Sequence, residues 1–266
     1  MVDFCFKDRY NISDLLKIME ILRAPGGCPW DAEQDHESIK KNFIEETYEV
    51  VEAINMANPG MLCEELGDVL LQVVFHARME EEKGIFNFDD VADGICKKLI
   101  ERHPHVFGDV KVSSSNEVLA NWDDIKRKTK GQATQGSAMQ KVPRELPALM
   151  RADKIQSKAK KAGFDWTSVD GALEALESEI KELRYAIKNE SNERAKDELG
   201  DVLFSAVNVS RFLDIDAEDA LTCSTDKFMN RFLSVERLAA ERGIDMKTKS
   251  VEELDKLWNE VKRSNQ

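Results

Sequence analysis

Four acidic side chains recur at fixed spacing in two places along the chain: Glu46, Glu49, Glu65 and Asp68, then Glu179, Glu182, Glu198 and Asp201. In each set the two members of a pair stand three positions apart, so on helices each pair shares a face. Two helices packed antiparallel bring all four carboxylates together. Like charges at this spacing destabilise a helix by roughly a few tenths of a kcal/mol, and carboxylates facing one another in a partly buried groove cost more. A cation must offset them. Oxygen donors without His or Cys select Mg²⁺, Mn²⁺ or Ca²⁺, and Mg²⁺ is usually held by a few carboxylates together with water and substrate phosphates. The pattern predicts Mg²⁺, with Mn²⁺ able to replace it, and a phosphorylated substrate.

An isolated Glu-x-x-Glu is an ordinary solvated face of a charged helix. Duplication sets this one apart. A constant offset of 133 residues aligns Glu46 with Glu179, Glu49 with Glu182, Ala53-Ile54 with Ala186-Ile187, and Glu65-Leu66-Gly67-Asp68 with Glu198-Leu199-Gly200-Asp201. It continues through Val69-Leu70 on Val202-Leu203, Val74 on Val207 and Arg78 on Arg211. An unbroken offset across two helices means a repeated module. Gly67 and Gly200 fall inside helices, where glycine costs about 1 kcal/mol relative to Ala, so their presence in both copies predicts a close helix approach beside the acids.

Cations and aromatic groups accompany the acids. After a small shift, Lys98 and Arg102 match Lys227 and Arg231, and Trp122 with Lys126 recurs as Trp258 with Lys262. Lys227 and Arg231, like Trp258 and Lys262, stand four positions apart and can present one face. Such cations could hold phosphate oxygens or make ordinary surface salt bridges, and Trp258 could stack on a nucleobase or fill a core. Trp30 and Trp166, each beside a turn, read as packing anchors, and His103 and His105 as structural or interfacial. No GxxxxGK[ST] or GxGxxG loop and no GxSxG elbow occurs, so triphosphate binding must rely on metal and side chains.

The elements that must position these groups are helices. With 266 residues, 42% hydrophobic and 33% charged, and only six prolines, the chain has the composition of two folded, helix-rich domains. Apolar periodicity predicts a first helix from Ile12 to Leu22, a second from His36 to about Met56, and a third from Leu62 to Lys83. Residues 108–147, with Ser113-Ser114-Ser115, Gly131, Gly136 and two prolines, read as a linker around one short helix near Glu117 to Lys128. The domains expected on either side are 1–107 and 148–266. The net charge of −13 argues against a nucleic-acid polymer as partner. No apolar run is long enough for a membrane span, and Met1 to Tyr10 lacks a signal core, so the expected location is cytoplasmic. Five scattered cysteines without a CxxC pair fit reduced thiols.

The joint motifs resemble the MazG family over nearly the whole chain. Gly26-Gly27-Cys28-Pro29-Trp30-Asp31, Glu45-Glu46-Thr47-Tyr48-Glu49, Glu64-Glu65-Leu66-Gly67-Asp68 and Arg102-His103-Pro104-His105-Val106-Phe107 are similar to a first MazG domain. Pro147-Ala148-Leu149, Gly163-Phe164-Asp165-Trp166, Glu198-Leu199-Gly200-Asp201 and Leu254-Asp255-Lys256-Leu257-Trp258 are similar to a second. The resemblance implies an all-α fold of two tandem MazG-type domains, related to dimeric dUTPases and phosphoribosyl-ATP pyrophosphohydrolase. It implies a homodimer that cleaves nucleoside triphosphates, NTP and dNTP, to monophosphate and pyrophosphate with Mg²⁺. It places catalysis in the C-terminal domain, with Glu179, Glu182, Glu198 and Asp201 as catalytic metal ligands and Arg194, Lys227, Arg231, Trp258 and Lys262 as nucleotide contacts. Glu46, Glu49, Glu65 and Asp68 are the N-terminal metal set. One residue departs from the pattern: Ser178 stands where the first domain has Glu45. That departure keeps open a non-catalytic, nucleotide-sensing or partner-binding dimer, beside a narrower dUTP or phosphoribosyl-ATP pyrophosphohydrolase.

Overall fold

The computed structural model describes residues 4–115, 117–118, 121–122, 125 and 134–264. Every regular element among them is a helix, and the chain divides into two compact units, Met1–Lys126 and Arg127–Gln266.

In unit 1, α1 (Ile12–Arg23) opens with a capping box in which Asn11 accepts from the Ser13 and Asp14 N–H groups while Asp14 accepts from the Asn11 N–H. Together these satisfy N–H groups that a helix start leaves unpaired. The turn-rich stretch after it holds a one-turn helix, α2 (Pro29–Glu33), with proline at its first position, where a missing N–H costs nothing. Next come α3 (Lys40–Asn55), α4 (Pro59–Glu81), α5 (Phe88–Arg102) and α6 (Pro104–Phe107). The Asn58-Pro59-Gly60 stop also starts α4: Asn58 caps the Gly60 and Met61 N–H groups and Pro59 takes the first helical position. Helix α4 therefore begins three residues before the periodicity predicts. The link is short, with Ala57 at a φ of +49°, and turns α4 back along α3. Met19, Ile39, Val74, Phe75 and Met79 form the core, flanked by Leu15, Leu16, Leu71 and Phe88.

In unit 2 a short helix α7 (Gln135–Met139) precedes α8 (Ala148–Lys161), α9 (Val169–Asn189), α10 (Asn192–Phe212), α11 (Ala217–Glu241) and α12 (Val251–Ser264), with a 3₁₀ turn at Met246–Thr248. Helix α7 lies inside the stretch expected as linker. Most of the helix expected near Glu117 to Lys128 lies outside the described residues, as does Lys126. Helices α9 and α10 pack along most of their length as α3 and α4 do, and α8 packs on α10 and α11. Val235, Ala239, Leu257 and Val261 form a second core between α11 and α12, with Trp258 packed against it.

The close approach expected at Gly67 and Gly200 is not there. A Cβ added at either would meet nothing within 4 Å inside its unit. Small side chains do sit buried on the earlier helix of each pair, at Ala53 and Ala186, 0% and 1% exposed. The two glycines face away from the packed seam.

Candidate active site

Each helical pair converges its acids. The carboxylate oxygens of Glu46, Glu49 and Glu65 lie within 4.8 Å of one another, and so do those of Glu179, Glu182 and Glu198. Asp68 and Asp201 stand close enough to act on their clusters: Asp68 helps raise the pKa of Glu46, and Asp201 that of Glu179. Burial is the larger cause in both cases. Glu65 is raised as well, first by burial and then by Glu49. These shifts are those of anions crowded together at the edge of a low-dielectric region. Hard oxygen donors gathered this closely, with no soft ligand among them, fit a divalent cation such as Mg²⁺.

The surroundings differ. In unit 2 Glu198 is 5% exposed, and Arg194 one turn earlier on α10 forms an ion pair with it and also reaches Glu190 at 3.5 Å and Asp197 at 3.7 Å. The constant offset puts Met61 at the corresponding place in unit 1. At Ser178, where the first domain has Glu45, the hydroxyl donates to Glu182 Oε1 at 3.2 Å.

Beside Glu179 opens a cavity of about 450 Å³, also lined by Gln156, Phe164, Trp166, Ser205, Asn208 and Arg211. Trp166 is 50% exposed, so it is a wall of this opening rather than the packing anchor its sequence context predicts. Behind it, Arg211 is clamped to Asp165, with one bond at 3.0 Å, and donates to Asn208 Oδ1 at 2.6 Å. Phe164 and Trp166 belong to the Gly163-Phe164-Asp165-Trp166 motif and Arg211 to the repeat, whereas Gln156, Ser205 and Asn208 carry no acidic or motif signal, which is why sequence reasoning passed over those three. The offset itself could have exposed Asn208, since it aligns with Phe75.

The remaining predicted contacts lie on the last two long helices. Lys227 is exposed and Arg231 half-buried on α11, while Lys262 is exposed on α12. Trp258 is half-buried, its ring 5.0 Å from that of Phe228. The unit 2 carboxylates act on one another, and Ser178 and Arg194 contact them. In unit 1 the matching pair is joined directly, with the Arg102 guanidinium 5.4 Å over the Trp122 ring.

This fold and these paired acid clusters belong to a defined class. The profile of the MazG nucleotide pyrophosphohydrolase domain matches residues 34–107 and 167–235. The chain is 45% identical over 256 residues to a nucleoside triphosphate pyrophosphohydrolase of Escherichia coli (strain K12), covering 95% of this chain and 97% of that protein. It is also 45% identical over 249 residues, 94% of each chain, to the nucleoside triphosphate pyrophosphohydrolase/pyrophosphatase MazG of Thermotoga maritima. It is 46% identical over 256 residues to the uncharacterized protein YabN of Bacillus subtilis (strain 168), 96% of this chain and 52% of that one. The chain belongs to the MazG family and carries two copies of its domain.

Proposed function

We propose that the chain hydrolyses nucleoside triphosphates, ribo and deoxy, to the monophosphate and pyrophosphate, with Mg²⁺ held in unit 2 by Glu179, Glu182, Glu198 and Asp201. The activity class rests on family membership and on the names of the E. coli and T. maritima relatives. One observation carries the assignment to unit 2: its carboxylate cluster borders an open cavity.

Bound in the cluster, Mg²⁺ would neutralise phosphate oxygens and favour in-line attack at the α-phosphorus. The protein supplies the rest. Four carboxylates give the hard donors, Arg194 offsets part of their charge and holds Glu198, and a carboxylate of the set accepts the proton of the attacking water. Lys227, Arg231 and Lys262 offer charge to the phosphates, and Trp258 offers an apolar contact to the nucleotide. Glu46, Glu49, Glu65 and Asp68 bind the same ion in unit 1.

The acting form is a homodimer in the cytoplasm. Leu66, Leu70 and Ile54 are 51%, 37% and 56% exposed, and their counterparts Leu199, Leu203 and Ile187 are 48%, 50% and 68% exposed. An apolar patch repeated at corresponding positions in both units supports cover by a second copy. Among the described residues no helix is long and apolar enough to cross a membrane.

The test is a product assay with a panel of NTPs and dNTPs, resolving pyrophosphate from orthophosphate, with Mg²⁺, with Mn²⁺ and with chelator. Monophosphate plus pyrophosphate, lost on chelation, is expected. Orthophosphate as the first product, or turnover indifferent to chelation, would overturn the reading. Light scattering on the same sample reports the dimer.

A further inference from the structure

The cavity beside Glu179 holds more polar chemistry than a gap between helices needs. Gln156 is 6% exposed, and its Nε2 donates to the Phe204 carbonyl at 2.8 Å. Because that carbonyl can only accept, the amide is oriented and Oε1 is left as an acceptor. Oε1 is buried with no hydrogen-bond partner, a condition native interiors seldom tolerate without a ligand or water to fill it. Asn208 uses its Oδ1 on Arg211, so its remaining capacity is the Nδ2 donor. Trp166 stands on Gly171, where an added Cβ would come within 3.2 Å of the ring, and it keeps half its surface open.

The duplicated unit is an internal control. Within the repeated helices the constant offset aligns Asn208 with Phe75. In unit 1 Phe75 is 4% exposed in the core, with the Arg23 guanidinium 5.2 Å over its ring. Arg23 spends its other donors on the Asp31 and Gln34 carbonyls and on Glu82. One copy has filled this position with an aromatic ring. The other lines it with an oriented acceptor, an amide donor and a half-exposed indole.

We infer that the unit 2 cavity seats the base of the substrate nucleotide, with Gln156 Oε1 accepting an N–H from the base edge, Asn208 donating to it and Trp166 covering its face. A flat group with a donor beside an acceptor matches this wall, and every common nucleobase has both on its pairing edge. The site therefore recognises that a base is present without selecting strongly among bases. It also moves the base away from Trp258, whose ring is engaged with Phe228. The inference rests on the pyrophosphohydrolase reading of unit 2.

The experiment compares ATP, purine riboside triphosphate, which lacks the 6-amino donor, and ribose 5-triphosphate, which lacks the base. Pyrophosphate release is measured on the full chain carrying Glu49→Gln, so that unit 2 alone turns over. We expect a KM about tenfold higher for purine riboside triphosphate than for ATP, the effect of one buried hydrogen bond, with kcat little changed. Ribose 5-triphosphate should be weaker still. In Gln156→Leu the gap between ATP and purine riboside triphosphate should close, and Asn208→Phe, copying unit 1, should raise the KM of both. Trp166→Ala should raise KM more than Trp258→Ala does. Equal KM for ATP and purine riboside triphosphate, with turnover intact, overturns the base site while leaving the activity standing, and that comparison needs no cavity variant to fold. Absence of pyrophosphate from ATP in this background overturns the assignment of turnover to unit 2 itself.

Discussion

The two carboxylate clusters hold the same acids at the same helical positions, yet each stands in its own electrostatic and steric setting. In unit 1 Glu46 and Glu65 are raised first by burial and then by neighbouring acids, Asp68 for Glu46 and Glu49 for Glu65, and Met61 offers them no charge. In unit 2 Arg194 pairs with Glu198, and Glu179 is raised by burial and then by Glu182. Unit 2's cluster borders an opening lined by Asn208, whereas the aligned residue of unit 1, Phe75, is buried in an apolar core. Duplication thus preserved what a metal requires and let the neighbouring wall diverge. A metal site needs a few oxygens at the right separation, whereas a substrate site also needs empty, shaped space beside them.

The largest effect should come from removing one acid from each copy. Glu182→Gln is expected to lower pyrophosphate release at least about a hundredfold, the scale of losing several kcal/mol of charge stabilisation, while Glu49→Gln retains most of it. Steady-state rates on matched preparations check this, and a larger loss in Glu49→Gln would reverse the roles given to the two units.

Arg194→Met transplants the unit 1 residue into unit 2. About tenfold lower kcat/KM is expected for the loss of a charge-assisted contact. Thermal melting should also shift down in chelator and recover with Mg²⁺, because a cation can neutralise the Glu198 charge that Arg194 no longer pairs. A melting loss that Mg²⁺ does not repair would mean that Arg194 serves folding alone.

Glu82 probes unit 1 apart from its metal set. Its carboxyl is held below the usual range chiefly by the hydrogen bond from Arg23, assisted by Arg78 and opposed by burial. A depressed folded-state pKa contributes stability above the unfolded value and loses it as pH falls through the folded one. Glu82→Gln should therefore cost about 1 kcal/mol at pH 7, with the difference shrinking below about pH 4. Denaturant melts across pH should show this with turnover unchanged, and a pH-independent difference would contradict the ion-pair account.

The smallest effect is expected from restoring the missing acid. Because Ser178 already supports Glu182 by a hydrogen bond, Ser178→Glu should change kcat/KM by less than about threefold, within the range of one exposed interaction. A tenfold gain would show that the serine had weakened unit 2 after all.

Much of the arrangement was legible beforehand. The helix from Ile12 was readable because Asn11 and the apolar stripe agree, and α4 was readable apart from its start, where Asn58 and Pro59 serve both as a stop and as a cap. The acid clusters were legible because a carboxylate pair on a helix face has a fixed period and the offset repeats it. The glycines misled, since a residue without a side chain marks either a close approach or an open face, and spacing along one chain does not separate the two. Trp166 misled for a related reason: its size favours burial, but a ring at a helix corner can also be left standing at the edge of a cavity.

Periodicity and repetition, which are properties of the chain read in order, determined the helical class, the duplication, the two acid sets and the hard cation they call for. Tertiary structure decided which surroundings each set received. The packing of Arg23 on Phe75, the orphaned Oε1 of Gln156 and the opening beside Glu179 all join residues on different helices or depend on how helices pack. Shape and burial arise from side chains brought together across the fold, and no local spacing encodes whether the room between two helices is filled or left for a ligand.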